Sequence, residues 1–497
     1  MKKIFLVLVF VFVAYGQQHV EILHWNDFHS QNLPFRVKTT SRVTHHDTSY
    51  FVGGCAVLSA YIEKYDTHPA STLLLDAGDD FQGTPISSIT KGESQIELLS
   101  LLHPDAMAIG NHEFDYGSNS LHTKLDELKF PVLSANLVYS ATGNSFEGTY
   151  CIKKVNGVTV AIIGLMTTEL PALTLPANIT GLHVLSPSKT VNDLIPKLKT
   201  QGADLIIALT HEGVQEDSIL ATECPDLDVI VGGHSHTPLF VPKRVNNILI
   251  VQAGSRGRWL GKVDLTVDIE KDTVITSDAE LIECRSADVV PNPAVADKVD
   301  SLESLASASL NEVIGKLSTD WIRSSSGESN IGNWMTDCMR QYAHTDIAIQ
   351  NSGGIRKDLL AGPITVRDLW EVCPFGNTLV TFTVSGKTLR KIIEHQLRIG
   401  DDFCQVSGIS YTYSENNGVN TLIDITVGEK PVDVETMYTI VTNNFVASQS
   451  MKYFGILLND SDSTPLNVVN RDILIDAVKK QKIIDPSIEG RIRKIQG

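Results

Sequence analysis

Five short stretches of this chain carry side chains that bind metal ions, and each follows a short apolar run. They are Asp27-Phe28-His29, Asp76-Ala77-Gly78-Asp79, Gly110-Asn111-His112-Glu113-Phe114-Asp115, His211-Glu212-Gly213 and Gly232-Gly233-His234-Ser235-His236. Carboxylate, imidazole and amide oxygen together suit two divalent cations of intermediate hardness, and none of these stretches offers a thiolate. The sequence therefore predicts a metal-dependent reaction.

The elements around these stretches explain how ligands that are distant in sequence can meet. Apolar runs such as residues 73–75, 205–209 and 229–231 end in Gly, Asp or His, which is typical of buried strands. Residues 92–102 and 190–199 show helical spacing between such runs. This alternation predicts layers of helices around a sheet, with loops that emerge at one edge and gather the ligands there.

Taken as a set, the five stretches resemble those of the calcineurin-like two-metal phosphoesterases. Three motifs of the second half extend the resemblance to the 5′-nucleotidase and apyrase family: Asn351-Ser352-Gly353-Gly354-Ile355-Arg356, Pro374-Phe375-Gly376-Asn377 and Asn443-Asn444-Phe445. The similarity covers nearly the whole chain after the first twenty residues. It implies an α/β fold of mixed α+β type, with a four-layer phosphoesterase domain, a linker helix and a smaller α/β substrate-binding domain.

The predicted domain boundaries are residues 17–288 for the phosphoesterase domain, 289–310 for the linker helix and 311–497 for the nucleotide-binding domain. The linker prediction rests on Pro293, near a helix start, and on the helical spacing of Val295, Val299 and Leu302. The alternative interpretation is a peripheral helix of the first domain.

Asp79 lies midway in the order of ligands and is predicted to bridge two cations. The resemblance implies that one cation is completed by Asp27, His29 and His236, and the other by Asn111, His211 and His234. Zinc suits these histidine-rich ligands best, while manganese, cobalt, calcium and magnesium stay open. The implied reaction is direct attack on phosphorus by a hydroxide that the two cations share.

His112 and Asp115 are three residues apart and would share one face of a helix that begins there. An imidazole oriented by a carboxylate can protonate a leaving oxygen, and the resemblance assigns this catalytic role to the pair. Glu113 is expected to face elsewhere, as an acid in the first turn of a helix. If the loop of His234 and His236 is extended, the two imidazoles point to different cations.

Residues of the second half are predicted to bind substrate. Arg356 is a candidate phosphate clamp, because a guanidinium group matches phosphate bidentately, and Asn351 lies on the same loop. The resemblance implies that Phe375 and Phe445 sandwich the nucleotide base, which contributes ~1–3 kcal/mol per base.

Two departures from the family pattern bear on nucleoside selectivity and catalytic efficiency. The family places an arginine a few residues before its Glu-x-Asn-x-Gly-Asn stretch, whereas here Ser324-Ser325-Ser326-Gly327 comes before it and the nearest arginine is Arg323. After Phe445 the family has an Asn-Gly-Gly-Asp-Gly run whose aspartate holds the ribose hydroxyls. Here the run is Ser448-Gln449-Ser450-Met451-Lys452, which has no carboxylate.

Charge and terminal patterns predict the location and the class of partner. A formal charge of −17 argues against nucleic acid or an anionic membrane surface as the main partner. Residues 1–16 combine Lys2 and Lys3 with an apolar run, which predicts a secretory signal. The tail at residues 494–497 lacks the hydrophobic end of a lipid-anchor signal. We therefore expect a secreted, extracellular protein without a membrane anchor, whose oligomeric state stays open.

Secretion would permit two covalent modifications. The seven cysteines could form disulfides in an oxidising compartment, with one left over. Asn178-Ile179-Thr180 and Asn459-Asp460-Ser461 fit the pattern for N-glycosylation.

The leading hypothesis is a secreted, metal-dependent nucleotide phosphohydrolase that acts on ATP and ADP as an apyrase, on AMP as a 5′-nucleotidase, or on both. Short, unanchored chains of this layout resemble the salivary apyrases of blood-feeding arthropods, in which ADP hydrolysis would impair platelet aggregation. The altered motifs of the second half support an alternative, a secreted binding protein on the same fold that occupies a receptor or sequesters nucleotide. A narrower possibility is a phosphoesterase for cyclic or sugar nucleotides.

Overall fold

The computed structural model of this chain describes residues 16–40, 47–305, 308–398 and 403–496. The predicted secretory signal at residues 1–16 lies outside these ranges except for Gly16. Across the described ranges, no helix combines the length and the apolar character needed to cross a membrane.

Two six-stranded mixed sheets pack face to face in the N-terminal half. The first contains, in spatial order, Thr273–Glu283, Trp259–Asp268, Gln17–Trp25, Thr72–Asp76, Ala106–Ala108 and Val132–Leu133. The second contains Lys243–Val245, Ile248–Val251, Val229–Gly232, Leu205–His211, Val158–Met166 and Tyr150–Val155. Leu73 and Leu75 of the first sheet share one buried cluster with Val160 and Ile207 of the second. Their strands read as continuous apolar runs because both faces of each sheet are covered.

Helices cover the outer face of each sheet. One group comprises Cys55–Tyr65, Glu93–Leu102, Ser118–Leu125 and Pro293–Leu305, and the other comprises Pro187–Thr200 and Val214–Glu223. Two shorter helices, Pro85–Thr90 and Leu170–Leu173, and the strand pairs Phe35–Thr40 with Asp47–Val52 and Leu137–Tyr139 with Leu182–Val184 lie at the periphery. The result is a helix–sheet–sheet–helix arrangement, so the predicted four-layer fold is confirmed.

The C-terminal half is built on a five-stranded sheet with helices on both faces. Its strands are, in spatial order, Cys404–Ser407, Ile347–Asn351, Met437–Asn443, Thr378–Ser385 and Ser463–Val469. Asn330–Ala343, Val366–Val372 and Asn470–Gln481 cover one face, and Gly386–Gln396, Asn444–Ser448 and Ser450–Phe454 cover the other. Smaller sheets are formed by Gly362–Thr365, Val313–Leu317 and Ile483–Ile484, and by Lys430–Pro431, Val419–Val427, Ile409–Asn416 and Ile492–Gln496.

The helix Pro293–Leu305 lies within the predicted linker and contacts both halves. Val295, Val299 and Leu302 pack into the core of the N-terminal half. On its other side, Glu303 forms an ion pair with Arg367 at 2.7 Å. The helix is therefore held by both halves, and the exact domain boundaries stay a prediction.

The sequence permits disulfides, but among the described residues Cys55, Cys151, Cys224, Cys284, Cys338 and Cys373 form none. Six of the seven cysteines are buried, and five of them, Cys55, Cys224, Cys284, Cys338 and Cys373, are distributed over three separate hydrophobic cores. Burial raises the pKa of each of these five thiols, so they behave as small apolar side chains.

Candidate metal and catalytic site

The predicted metal ligands lie where neighbouring parallel strands of the two sheets end. Asp27 and His29 follow the strand Gln17–Trp25, Asp79 follows Thr72–Asp76, and Asn111 follows Ala106–Ala108. His211 ends the strand Leu205–His211, and His234 and His236 follow its parallel neighbour Val229–Gly232. The carboxyl ends of these strands meet at one edge, so the structure brings all seven predicted ligands together, as such loops commonly do.

One group of ligands consists of Asp27, His29 and His236. The Nε2 atoms of His29 and His236 lie 2.9 Å apart, and His236 Nε2 lies 3.2 Å from Asp27 Oδ1. Two imidazole nitrogens at this separation cannot both present lone pairs to each other, so a proton or a cation must lie between them. A divalent cation would satisfy both nitrogens and the carboxylate at once.

A second group consists of Asp79, His211 and His234. Asp79 Oδ2 lies 3.1 Å from His211 Nε2, and His211 Nδ1 donates a hydrogen bond to the carbonyl of Ala77 at 2.7 Å. Burial opposes both charges, yet their mutual attraction holds the pKa of Asp79 well below its usual range and raises the pKa of His211 to about 10. A bound cation would replace the proton on His211.

The residues present fit two divalent cations. In the described part of the chain, no hydrogen bond reaches Asn111 Oδ1, although this atom is buried. A buried acceptor without a donor is destabilising unless a cation satisfies it. Asp79 also groups with His29 and His112, which places it between the two ligand groups, as expected of a bridging residue.

Five of the seven predicted ligands have left-handed backbone conformations. The φ angles are 51° for Asp27, 50° for His29, 63° for Asp79, 77° for His234 and 53° for His236. Non-glycine residues rarely adopt positive φ, and such strain concentrates at functional sites. The extended conformation considered for the loop of His234 and His236 is therefore wrong. The two imidazoles still point to different ligand groups because the turns of this loop separate them.

Glu113 does not face away from the site, contrary to the sequence-based expectation. Its buried carboxylate accepts backbone N–H groups from Asp79 at 3.0 Å, Asp80 at 2.8 Å, Phe81 at 3.0 Å and Gly110 at 2.7 Å. It thereby ties the loop of the predicted bridging ligand to the loop of Asn111. An acidic residue beside a motif is too common in sequences to indicate such a role.

His112 and Asp115 share one face of a short 3₁₀ helix, His112–Tyr116. Residues i and i+3 eclipse each other in this kind of helix, and His112 Nδ1 lies 2.8 Å from Asp115 Oδ2. Burial lowers the pKa of His112, but Asp115 and Asp79 outweigh burial, so the pKa is raised overall. The carboxylate of Asp115 therefore favours the protonated form of the His112 imidazole, which lines the site.

A cavity of about 620 Å³, the nucleotide cavity, joins the metal ligands to the predicted substrate residues. It is lined by Asp79, Asn111, His112, His234 and His236 on one side, and by Asn351, Arg356, Phe375 and Phe445 on the other. Arg356 Nη2 lies 3.3 Å from His29 Nε2 and 3.4 Å from His112 Nε2, so the guanidinium faces the metal ligands. The rings of His112 and Phe375 have centroids 5.8 Å apart.

Some lining residues have roles that the motifs did not indicate. Asn351 Oδ1 accepts hydrogen bonds from the side-chain amides of Gln350 at 3.0 Å and Asn443 at 3.1 Å. This side chain therefore also stabilises the cavity wall. Asn178, one of the two predicted glycosylation sites, lines the cavity and donates to the carbonyl of Asp115 at 3.0 Å. Met451, within the run that replaces the family's ribose-binding motif, is 57% exposed and outside the cavity lining.

Two protein families match successive parts of the chain. Calcineurin-like phosphoesterases match residues 20–238, and the 5′-nucleotidase C-terminal domain matches residues 313–455. The chain is 31% identical to a Homo sapiens 5′-nucleotidase over 97% of this chain and 92% of that protein. It is 30% identical to a Naja atra snake venom 5′-nucleotidase over 96% of this chain and 99% of that protein. The crystal structure of a 5′-nucleotidase precursor from Thermus thermophilus superposes with a TM-score of 0.87 at 29% identity, covering 96% and 99% of the two chains.

Proposed function

Because this chain belongs to the 5′-nucleotidase family of metal-dependent hydrolases, we propose that it releases phosphate from the nucleotides AMP, ADP and ATP. The observation that supports this substrate class is the nucleotide cavity, which connects the metal ligands to two half-buried phenylalanines and one arginine. A nucleotide has the three matching parts: a phosphoryl group for the cations, an anionic oxygen for Arg356 and a flat base for Phe375 and Phe445.

The residues of the site have separate roles in the proposed reaction. Asp27, His29 and His236 would hold one divalent cation, Asn111, His211 and His234 the other, and Asp79 both. Bound cations of this kind activate water and neutralise charge on the phosphoryl oxygens. His112 donates a proton to the leaving oxygen, and Asp115 orients its ring and favours the protonated imidazole. Arg356 holds a phosphoryl oxygen against the metal ligands.

The proposal includes secretion and, in a blood-feeding source, a role in preventing platelet aggregation through loss of ADP. The signal-like pattern of residues 1–16 supports secretion, and the similarity to a snake venom 5′-nucleotidase is consistent with it. Asn459 is exposed and suits glycosylation, whereas Asn178 is engaged inside the cavity.

Phosphate release from AMP, ADP and ATP, measured with and without EDTA, tests the proposed function. We expect release from at least one nucleotide, its loss with EDTA and its recovery when a divalent cation is added back. Elemental analysis of the fully loaded protein should find two equivalents of metal. Equal phosphate release with and without chelator would overturn the metal-dependent chemistry, and no release from any of the three nucleotides would leave the alternative of a nucleotide-binding protein.

A further inference from the structure

Arg471 lies in the wall of the nucleotide cavity, although it belongs to none of the motifs that carry the family resemblance. It is 6% exposed and stands in the first turn of the helix Asn470–Gln481. Burial lowers the pKa of Arg471, and the first turn of a helix disfavours a cation because the helix dipole is positive there. This position is therefore unfavourable for an arginine unless specific contacts offset the cost.

The contacts of Arg471 are an aromatic ring and a row of backbone carbonyls. Its guanidinium carbon lies 3.4 Å from the centroid of the Trp370 ring, which is a cation–π contact. Nη1 donates hydrogen bonds to the carbonyls of Cys373 and Pro374, both at 3.2 Å, and to that of Phe375 at 3.5 Å. Within the described ranges, no carboxylate forms a salt bridge with this guanidinium. Its flat shape and its donors, rather than an ion pair, therefore hold it in place.

The three carbonyls belong to the loop that carries Phe375. Residues 373–377 connect a helix to a strand and have no regular structure of their own. The far end of this loop is bound to the same helix start, because the backbone N–H of Asn470 donates to the carbonyl of Asn377 at 2.8 Å. A loop held to a rigid helix in this way loses little conformational freedom when a ligand binds. The position of the loop therefore depends on Arg471.

Phe375 faces the reactive end of the nucleotide cavity. Its ring centroid lies 5.8 Å from that of His112 and 5.9 Å from the guanidinium carbon of Arg356. A displacement of the loop would move the ring on which the base is proposed to stack. The metal ligands lie on other loops, in the N-terminal half of the chain. Binding of the base should therefore depend on Arg471 more than binding of the phosphoryl group does.

We propose that Arg471 is a positioning residue for nucleotide binding, which holds the loop of residues 373–377 so that Phe375 is presented to the base. The inference rests on the proposed function, in which Phe375 stacks on a nucleotide base. It goes beyond that function because it gives a role to an arginine that no motif indicated. Since Arg471 acts through Phe375, its removal should affect ligands that contain a base and spare ligands that do not.

Calorimetric titration with adenosine and with orthophosphate tests this role in metal-loaded protein freed of excess cation. These are the two products of AMP hydrolysis, and only adenosine contains the base. The variant Arg471→Met keeps an unbranched stem against Trp370 but removes the charge and every donor. We expect it to weaken adenosine binding by about fivefold or more, the lower end of what one base stack contributes, and orthophosphate binding by less than about twofold. Arg471→Lys keeps the charge but not the flat face, so it should also weaken adenosine binding selectively, and it serves if Arg471→Met does not fold.

Arg244→Met is the matched control, because Arg244 also donates to a backbone carbonyl, that of Ser277, but is exposed and lies outside the cavity. It should leave both affinities unchanged. Equal weakening of the two ligands by Arg471→Met would indicate a general packing defect and overturn the positioning role, as would unchanged adenosine binding. A protein that hydrolyses AMP without the selective effect would refute this inference alone. A protein that shows the selective effect but releases no phosphate from any nucleotide would refute the proposed function alone.

Discussion

The carboxylate of Glu113 accepts a hydrogen bond from the backbone N–H of Asp79 at 3.0 Å, directly behind the predicted bridging ligand. The same carboxylate accepts the backbone N–H of Gly110 at 2.7 Å. A single buried side chain therefore sets the distance between two ligand-bearing loops. The geometry of the site depends on a residue that would not itself touch a cation.

Replacing Glu113 with alanine would leave four backbone N–H groups of these loops without their acceptor. Each unsatisfied buried donor costs about 1–3 kcal/mol, so we expect Glu113→Ala to lower the free energy of unfolding by at least about 3 kcal/mol. Denaturant titration of metal-free protein measures this loss. The exposed Glu127→Ala is the control and should change stability by less than about 0.5 kcal/mol. A similar small change for Glu113→Ala would contradict the bracing role.

Gly110 leaves space that Asp79 occupies. A Cβ atom at position 110 would lie 2.2 Å from Asp79 Oδ1 and 2.5 Å from its backbone nitrogen. We expect Gly110→Ala to displace the carboxylate and lower the bound metal below two equivalents, as measured by elemental analysis. Gly327→Ala is the control, because the nearest atom to its Cβ would be 3.8 Å away. Full metal content in Gly110→Ala would show that Asp79 does not require this close approach.

The proposed acid role of His112 predicts a loss of turnover without a loss of metal. Removing a general acid typically lowers the rate by ~10²–10⁴, and we expect a decrease of this size in kcat for His112→Ala. Metal content should stay at the level of the unmodified protein, since His112 is outside the proposed ligand set. Normal turnover in this variant would exclude the acid role, and loss of metal would instead make His112 a ligand.

Asp115→Asn should change the pH dependence of the reaction. The negative charge of Asp115 raises the pKa of His112 against the opposing effect of burial. Its removal therefore lowers the pKa of His112, so the protonated acid is lost at a lower pH. We expect the alkaline limb of a kcat–pH profile to move towards lower pH. A limb that stays in place or moves upward would mean that His112 is not the group that titrates.

Stacking on Phe445 should matter only for substrates that contain a base. Stacking contributes ~1–3 kcal/mol per base, so Phe445→Ala should raise KM for AMP by a corresponding factor. Hydrolysis of glycerol 2-phosphate, which has no aromatic ring, is the internal control and should keep its KM. An equal effect on both substrates would indicate a packing defect, since Phe445 lies 6.1 Å from the ring of Tyr453, centroid to centroid.

The types and order of the ligands could be predicted from the chain alone, because apolar runs mark strands and the residues after them are local in sequence. Asp79 and His211 were recognisable in this way as residues at strand ends, whereas the four-layer fold and the assignment of ligands to each cation were implied by the family resemblance. The left-handed backbone at His234 could not be predicted, because it depends on a residue that is distant in sequence. The backbone N–H of His234 donates a hydrogen bond to Asp27 Oδ2 at 2.9 Å. The same holds for Arg256, which meets Arg356 only after the two halves of the chain have packed together. Side-chain chemistry is a local property, whereas backbone strain and charge clustering arise from contacts between segments that are far apart in the chain.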